Sequence, residues 1–235
     1  MKAATLAAST EDIPGDAETR IHDAILHAVL TQKLAADTRL PELTLSRIFD
    51  VNRSVVRRAL SRLEADRVVV MRRNQSAVVI SPGADETRQL FAARRHVEAE
   101  VMRLTAGSLD APACRELRAI VEREHSAHAE GVHDDRIHLS LEFHQYLGTA
   151  CPNHVLGQML RDLILRTSVA VALYKVPGMA ACYRAGDHRR IAEALIDGQG
   201  EAAAAAACRH LDYLEERLNY ATRIHRVDLE TILTG

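Results

Sequence analysis

The chain has 235 residues, with 30 Lys+Arg against 32 Asp+Glu for a net charge of −2, and 47 % of its residues are apolar. That apolar fraction excludes wholesale disorder, and no apolar run approaches the roughly 18–20 residues that cross a bilayer. Only 3 % of residues are aromatic and there is no Trp, a composition that favours helix over sheet.

The first segment, MKAATLAASTEDIPGD, is small and polar, has no sustained apolar run and does not read as a signal peptide; residues 1–15 are expected to form a flexible tail. From Thr19 the apolar residues Ile21, Ala24, Ile25, Ala28 and Val29 recur at helical spacing. Pro41 and Glu42 open a second, short helix running to about Phe49. Asp50-Val51-Asn52 breaks it, and Ser54 is the expected cap of a third helix, with an inner face of Val56, Ala59, Leu60 and Leu63. The period then changes to two. Val68–Met71 and Ala77–Ile80 are β-branched runs around Arg73-Asn74-Gln75-Ser76, which predicts a hairpin. Three helices and a hairpin make a winged helix-turn-helix, assigned to residues 16–81.

Ser81-Pro82-Gly83 marks a boundary. Beyond it every periodic stretch is helical, with helices expected at about 86–107, 111–128, 133–150, 153–174, 180–197 and 201–224. Short breaks at Gly107-Ser108, Gly131, Cys151-Pro152-Asn153, Pro177-Gly178 and Gly198-Gln199-Gly200 imply an antiparallel helical bundle over residues 86–226. The expected fold is mainly α. The four cysteines, Cys114, Cys151, Cys182 and Cys208, include no CxxC pair, so they read as reduced thiols of a cytoplasmic protein.

The near-neutral chain has one strongly basic stretch. Residues 51–73 hold seven arginines against Glu64 and Asp66. A helix that enters the major groove needs short polar or basic side chains on its leading turn, and Arg53, Ser54 and Arg57 occupy that turn. An arginine bonds guanine in a bidentate way or neutralises phosphate, and Arg72 and Arg73 at the wing tip are placed for backbone or minor groove. A basic run is often only a solvated face. This one coincides with a helix-turn-helix and a wing, so double-stranded DNA is the expected partner.

LPELTLSRIFDVNRSVVRRALSRLEADRVVV resembles the DNA-binding half of GntR-type bacterial transcription regulators, whose pattern runs L-x-E-x-x-L-A, a turn, S-R-T-P-V-R-E-A-L-x-x-L-E, then a glycine and a wing. Glu42, Leu45, Arg53, Val56, Arg57, Ala59, Leu60, Leu63 and Glu64 match. The resemblance implies that Arg53 and Arg57, with Ser54 alongside, are the main DNA contacts. Asn52, Val55 and Arg58 stand where serine, proline and glutamate are usual, Ala36-Asp37 replaces Pro-Gly, and Ser76 replaces the wing glycine. Leu43 occupies a position where some members carry an arginine. The charge added at Arg58 should strengthen phosphate attraction.

The second half resembles the FCD ligand-binding domain of the FadR subgroup. The resemblance rests on AARRHVEAEVMRLTAG, SLEFHQYLGTACPNHVLGQML and GDHRRIAEALIDGQGEAAAAAACRHLDYLEERL. Members commonly hold a divalent metal with one aspartate and three histidines. His144, His188 and His210 fall on the histidine positions, while the aspartate position, four residues before His144, is Ser140. The resemblance implies a divalent metal, zinc or nickel, held by three imidazoles with an open position. His138 and His154 taken singly read as ordinary structural histidines. A carboxylate effector would want cationic or hydroxyl partners, for which Arg94, Arg166, Ser168 and Tyr174 are the candidates.

The expected function is therefore a ligand-responsive transcription regulator, not an enzyme. It would be a repressor that binds a near-palindromic operator as a homodimer, with DNA affinity set by a small organic acid. One alternative is a regulator whose signal is the metal itself. Another is a three-histidine metallohydrolase, although no HExxH, GxSxG or GxGxxG motif supports it.

Overall fold

The computed structural model of the chain describes residues 14–130, 133–174, 184, 186–220 and 229–234. The fold is mainly helical with one small sheet. Its first elements are α1 (Pro14–Leu30), β1 (Arg39–Leu40), α2 (Glu42–Ile48), α3 (Arg53–Ala65), β2 (Val69–Val70) and β3 (Ala77–Val79). Helix α1 starts at Pro14, so the expected tail ends earlier than residue 15, and the rest of that segment lies outside the described residues. The three strands are antiparallel in the order β1-β3-β2, with Leu40 opposite Ala77 and Val70 opposite Val78. The wing thus has a strand that was not expected.

Local chemistry sets these boundaries. Helix α3 is capped by Asn52, whose side chain accepts from the Val55 N–H at 3.1 Å; Ser54 lies inside the helix and bonds to Asn52. The cap expected at Ser54 is therefore two residues earlier, because asparagine at the last extended residue reaches the orphan N–H groups directly. At the other end, the N–H of Val68 bonds to the Leu63 carbonyl at 2.9 Å and that of Arg67 to Glu64 at 3.0 Å. That Schellman closure requires a left-handed residue, and Arg67 takes it with φ +57°. Asp37 has φ +63°, and Asn74 turns the wing at φ +59°.

The second half comprises α4 (Ala84–Thr105), α5 (Ala111–Glu130), α6 (His133–Ala150), α7 (His154–Tyr174), α8 (Asp187–Ile196) and α9 (Gly200–Glu215), followed by α10 (Leu229–Thr234). Helix α8 begins at Asp187 after Gly186 at φ +81°; residues 175–183, including the expected Pro177-Gly178 break, lie outside the described residues, as does the Gly131 break. Helix α9 stops at Glu215 rather than 224. There the chain turns to bury part of Leu218 and to bond the Asn219 N–H to the Tyr174 carbonyl at 2.8 Å.

Two large cores and one small cluster organise the packing of the described residues. Leu45, Val56, Leu60 and Leu63 are fully buried against Ile21 and Ile25 of α1, and the same cluster continues into Val169, Leu173 and Tyr174 of α7. Helix α1 therefore packs on both α3 and α7. Helix α10 adds Leu229, Ile232 and Leu233 to this cluster, against α1 and α2. The second core fills the bundle with Met102, Leu117, Phe143, Leu147, Leu160, Ile191 and Ala207, and a small third cluster joins Phe91, Val171, Leu211 and Leu214. No helix among the described residues is long and apolar enough to cross a membrane.

Candidate functional site

The leading turn of α3 and the tip of the wing face each other across an open groove. Glu42, Arg53, Arg57, Arg72, Arg73 and Asn74 are among its lining residues. Glu42, at the start of α2, accepts from Arg57 Nε at 3.0 Å and Nη2 at 2.9 Å, and from Arg53 Nη2 at 3.1 Å. The hydrogen bonds and charge of Arg57, aided by Arg53, hold the Glu42 carboxyl below its ordinary range against a smaller cost of burial. Both guanidinium groups stay mostly exposed. Ser54 is exposed on the same turn. Arg58 is not in this groove: its Nε bonds Glu18 of α1 at 2.9 Å, because its place on α3 turns it toward the first helix. The sequence-predicted arginines thus separate into four that share a groove and one that braces α1.

The bundle brings a second constellation together. His144 of α6, His188 of α8 and His210 of α9 are all buried, and one ring nitrogen from each lies within 4.8 Å of the others. Their outer nitrogens each meet a carboxylate. His144 Nδ1 is 3.0 Å from Glu98 of α4, His188 Nδ1 is 2.7 Å from Glu124 of α5, and His210 Nδ1 is 3.4 Å from Asp187 of α8. An imidazole that donates through Nδ1 leaves its Nε2 lone pair free, so the three carboxylates turn three lone pairs inward. His188 Nε2 and His210 Nε2 are 3.3 Å apart, while His144 Nε2 is buried without a partner. Phe143 stacks on His188 at 4.2 Å and fixes that ring from one face.

This donor set fits a divalent metal. Two nitrogens bound to one tetrahedral zinc at 2.0–2.1 Å stand about 3.3 Å apart, and inward lone pairs without protons repel unless a cation lies between them. Burial holds His144 well below its ordinary range and lowers His210, despite their carboxylates, so both stay neutral as ligation requires. Burial opposes ionisation of Glu98, yet Arg94 and the His144 hydrogen bond hold it far below the usual carboxylate range. Asp187 is lowered likewise by His210 and Arg190, against burial.

Beside His144 lies a small cavity of about 30 Å³, lined by Arg94, Ser140, Ser168 and, from the first helix, Leu30. Arg94 is 2 % exposed. Its Nε bonds Glu98 and its Nη1 bonds Thr167 Oγ1, both at 2.7 Å, while Nη2 has no partner. Ser140 is buried and lines this cavity, outside the three-histidine group. Two other expected effector contacts lie elsewhere. Arg166 points outward to Glu86 at 3.6 Å, and the Tyr174 hydroxyl is engaged by the Pro82 carbonyl. Both sit on α7, and neither is among the residues that line this cavity. His138 is exposed with its ring against His27, and His154 is exposed at the start of α7.

The amino-acid pattern pointed to none of the three carboxylates, Glu98, Glu124 and Asp187, behind these histidines. The signal was available as a rule of chemistry: each ligating imidazole needs an acceptor for its second nitrogen.

Comparisons with known proteins agree with this architecture. Residues 17–79 match the family of bacterial regulatory proteins, gntR family, and residues 89–213 match the FCD domain. The Uxu operon transcriptional regulator of Escherichia coli (strain K12) is 28 % identical over 206 residues, covering 76 % of this chain and 77 % of that protein. Among solved structures, E. coli McbR/YncC aligns with a TM-score of 0.68 at 17 % identity, over 83 % of this chain and 93 % of that one. A protein described as a transcriptional regulator GntR from Rhodococcus sp. RHA1 aligns with a TM-score of 0.68 at 21 % identity, over 85 % and 95 %. At those identities the structural likeness speaks for the fold alone. The two family matches, which together take in the winged helix and the histidine bundle, show that the chain belongs to the GntR family of bacterial transcription regulators, which are not enzymes, and carries an FCD ligand-binding domain.

Proposed function

We propose that the chain is a repressor that binds a near-palindromic operator as a homodimer and responds to a small carboxylate in a metal-containing bundle. The observation that carries the sensing half is the set of three inward imidazole nitrogens, each backed by a carboxylate, beside an arginine with an unused N–H. His144, His188 and His210 would hold the metal. When bound, zinc or nickel supplies a Lewis-acidic centre with coordination positions open to a carboxylate. Ser140, in place of aspartate, contributes a neutral hydroxyl and leaves a position free. Arg94 Nη2 offers the carboxylate a charged hydrogen bond, and Ser140 and Ser168 line the same cavity.

Output runs through Arg53, Ser54 and Arg57 at base edges and phosphates, with Arg72 and Arg73 along the backbone. Leu30 connects the two halves: it ends α1, which packs on α3, and it forms part of the cavity wall. A ligand that fits the cavity better in one position of α1 shifts the orientation of the winged helix by that difference in affinity.

The test joins both halves. Purified protein is assayed for bound metal, and its affinity for upstream DNA is measured with and without a panel of small acids. Metal retention that is lost in His188→Ala, and operator affinity that is weakened in a folded Arg57→Ala, are expected. Unchanged DNA affinity in Arg57→Ala sinks the reading. A second reading, in which the metal alone is the signal, is favoured by the small size of the cavity, about 30 Å³, room for little more than a water or two. It requires DNA binding that follows added metal with no organic acid present.

A further inference from the structure

Glu98 occupies an unusual position between the two halves of the sensing site. Its side chain is 1 % exposed. One carboxylate oxygen accepts from Arg94 Nε at 2.7 Å, and the other from His144 Nδ1 at 3.0 Å. Arg94 in turn lines the cavity that His144 also lines, and its buried Nη2 has no partner. The other two histidines are backed differently. Glu124 has one oxygen on His188 and its second oxygen without a partner, and Asp187 shares its charge with Arg190, whose side chain is exposed. Only His144 is linked through its carboxylate to a buried arginine that faces the cavity.

We propose that Glu98 is a positioning residue that couples the two ligands, so that a carboxylate on Arg94 and a divalent metal on the three histidines bind with positive cooperativity transmitted through it. The inference rests on the metal-and-carboxylate reading above. An anion at Nη2 draws on the guanidinium charge that Glu98 otherwise holds alone. Less neutralised, Glu98 accepts more strongly from the His144 N–H, which fixes the ring and strengthens Nε2 as a donor. In the reverse direction, a cation at Nε2 polarises the His144 N–H toward Glu98 and loosens the hold of Glu98 on Arg94. Linkage makes the two effects equal in size.

The experiment measures zinc affinity by competition with a chromophoric chelator, with and without acetate as the probe anion. In the parent protein acetate is expected to tighten zinc by about fivefold or more. Glu98→Gln and Glu124→Gln should each weaken zinc by about 10- to 100-fold, since each removes a charged acceptor behind a ligand. Only Glu98→Gln should abolish the acetate effect. Because Glu98→Gln leaves Arg94 buried beside an amide, Glu98→Asp is the second variant: it keeps the charge but is too short to hold both partners, and it too should lose the effect. Acetate tightening zinc equally in the parent and in either folded Glu98 variant overturns the coupling while leaving the metal site intact. Zinc affinity in the parent no better than in His188→Ala overturns the metal reading itself, and the coupling with it.

Discussion

Glu42 lies across the guanidinium of Arg57 in a two-point contact, Nε to Oε1 at 3.0 Å and Nη2 to Oε2 at 2.9 Å, and the second oxygen also takes Arg53. One carboxylate of α2 therefore orders both arginines on the leading turn of α3. Long side chains lose entropy when they bind DNA, and a pre-formed fork reduces that cost. The same carboxylate also repels phosphate. Glu42→Gln removes the repulsion and weakens the ordering. Affinity for random-sequence duplex is expected to rise about threefold to tenfold, while the ratio of operator to random binding falls. Titration of both duplexes by fluorescence anisotropy checks this; a ratio that stays constant would falsify the ordering role of Glu42.

The proposed DNA contacts in the groove should do different work. Arg57 sits on the helix, and Arg72 and Arg73 sit on the wing tip beside the Arg72–Gln75 turn. Arg57→Ala is expected to cost about 1–3 kcal/mol on the operator and to relax the preference at one base position. Arg72→Ala should weaken all duplexes alike and lower the slope of log affinity against log salt by about one. Arg58 pairs with Glu18, so Arg58→Ala should leave that slope unchanged. Salt titrations of the three variants separate these outcomes.

The amino-acid pattern made the skeleton of both halves legible, because a switch from 3.6-residue to 2-residue period marks the wing. It did not make β1 legible: Arg39-Leu40 is too short for any period, and its pairing with β3 depends on the left-handed turn at Asp37. The Asn52 cap was hidden by a serine two residues on, an equally good capping type. The histidines were readable from spacing along the chain. Their carboxylates were not, since Glu98 reaches His144 across 46 positions and Glu124 reaches His188 across 64, and only helix packing brings such pairs together. Arg166 and Tyr174 lie outside the cavity lining for the same reason: a position on α7 is legible, but the neighbours it packs against are not.

Acid should destabilise the metal-free protein in two stages. His144 and His210 are held below the ordinary 6.5 by burial. In the unfolded chain they take up protons as pH falls through about 6.5, whereas in the folded chain they stay neutral to lower pH. The unfolded state then binds more protons, so stability is full above pH 6.5 and falls below it. Glu98 and Asp187 add the same sign lower down, because Arg94 with His144, and His210 with Arg190, keep them ionised below the ordinary 4.5 and 3.8 against the cost of burial. Their contribution is present above those values and is lost as pH drops through them. Urea midpoints in the presence of a chelator should decline steadily from pH 7 to pH 5. A flat response over that range contradicts buried neutral histidines.

The framework that places His144 is tested at a glycine. Helices α6 and α7 cross where Gly148 meets Gly157, and a Cβ added to Gly157 would stand 2.1 Å from the Gly148 carbonyl oxygen and 3.2 Å from its carbon. Alanine normally stabilises a helix interior by about 1 kcal/mol over glycine. Here the obstacle is backbone, which yields only if the helices separate. Overpacking costs about 1–3 kcal/mol, so Gly157→Ala should be net destabilising by up to about 2 kcal/mol despite the better propensity. Gly148 is one turn beyond His144 on α6, so the separation also moves that imidazole relative to His188 and His210. Zinc affinity should therefore fall in the variant even where it is fully folded. The proposed DNA contacts Arg53 and Arg57 lie in a different part of the chain, and affinity for random-sequence duplex should not change. Chemical denaturation, zinc competition and duplex titration on one preparation give the three readings together; a Gly157→Ala protein that is more stable than the parent means that the crossing is looser than the 2.1 Å approach requires.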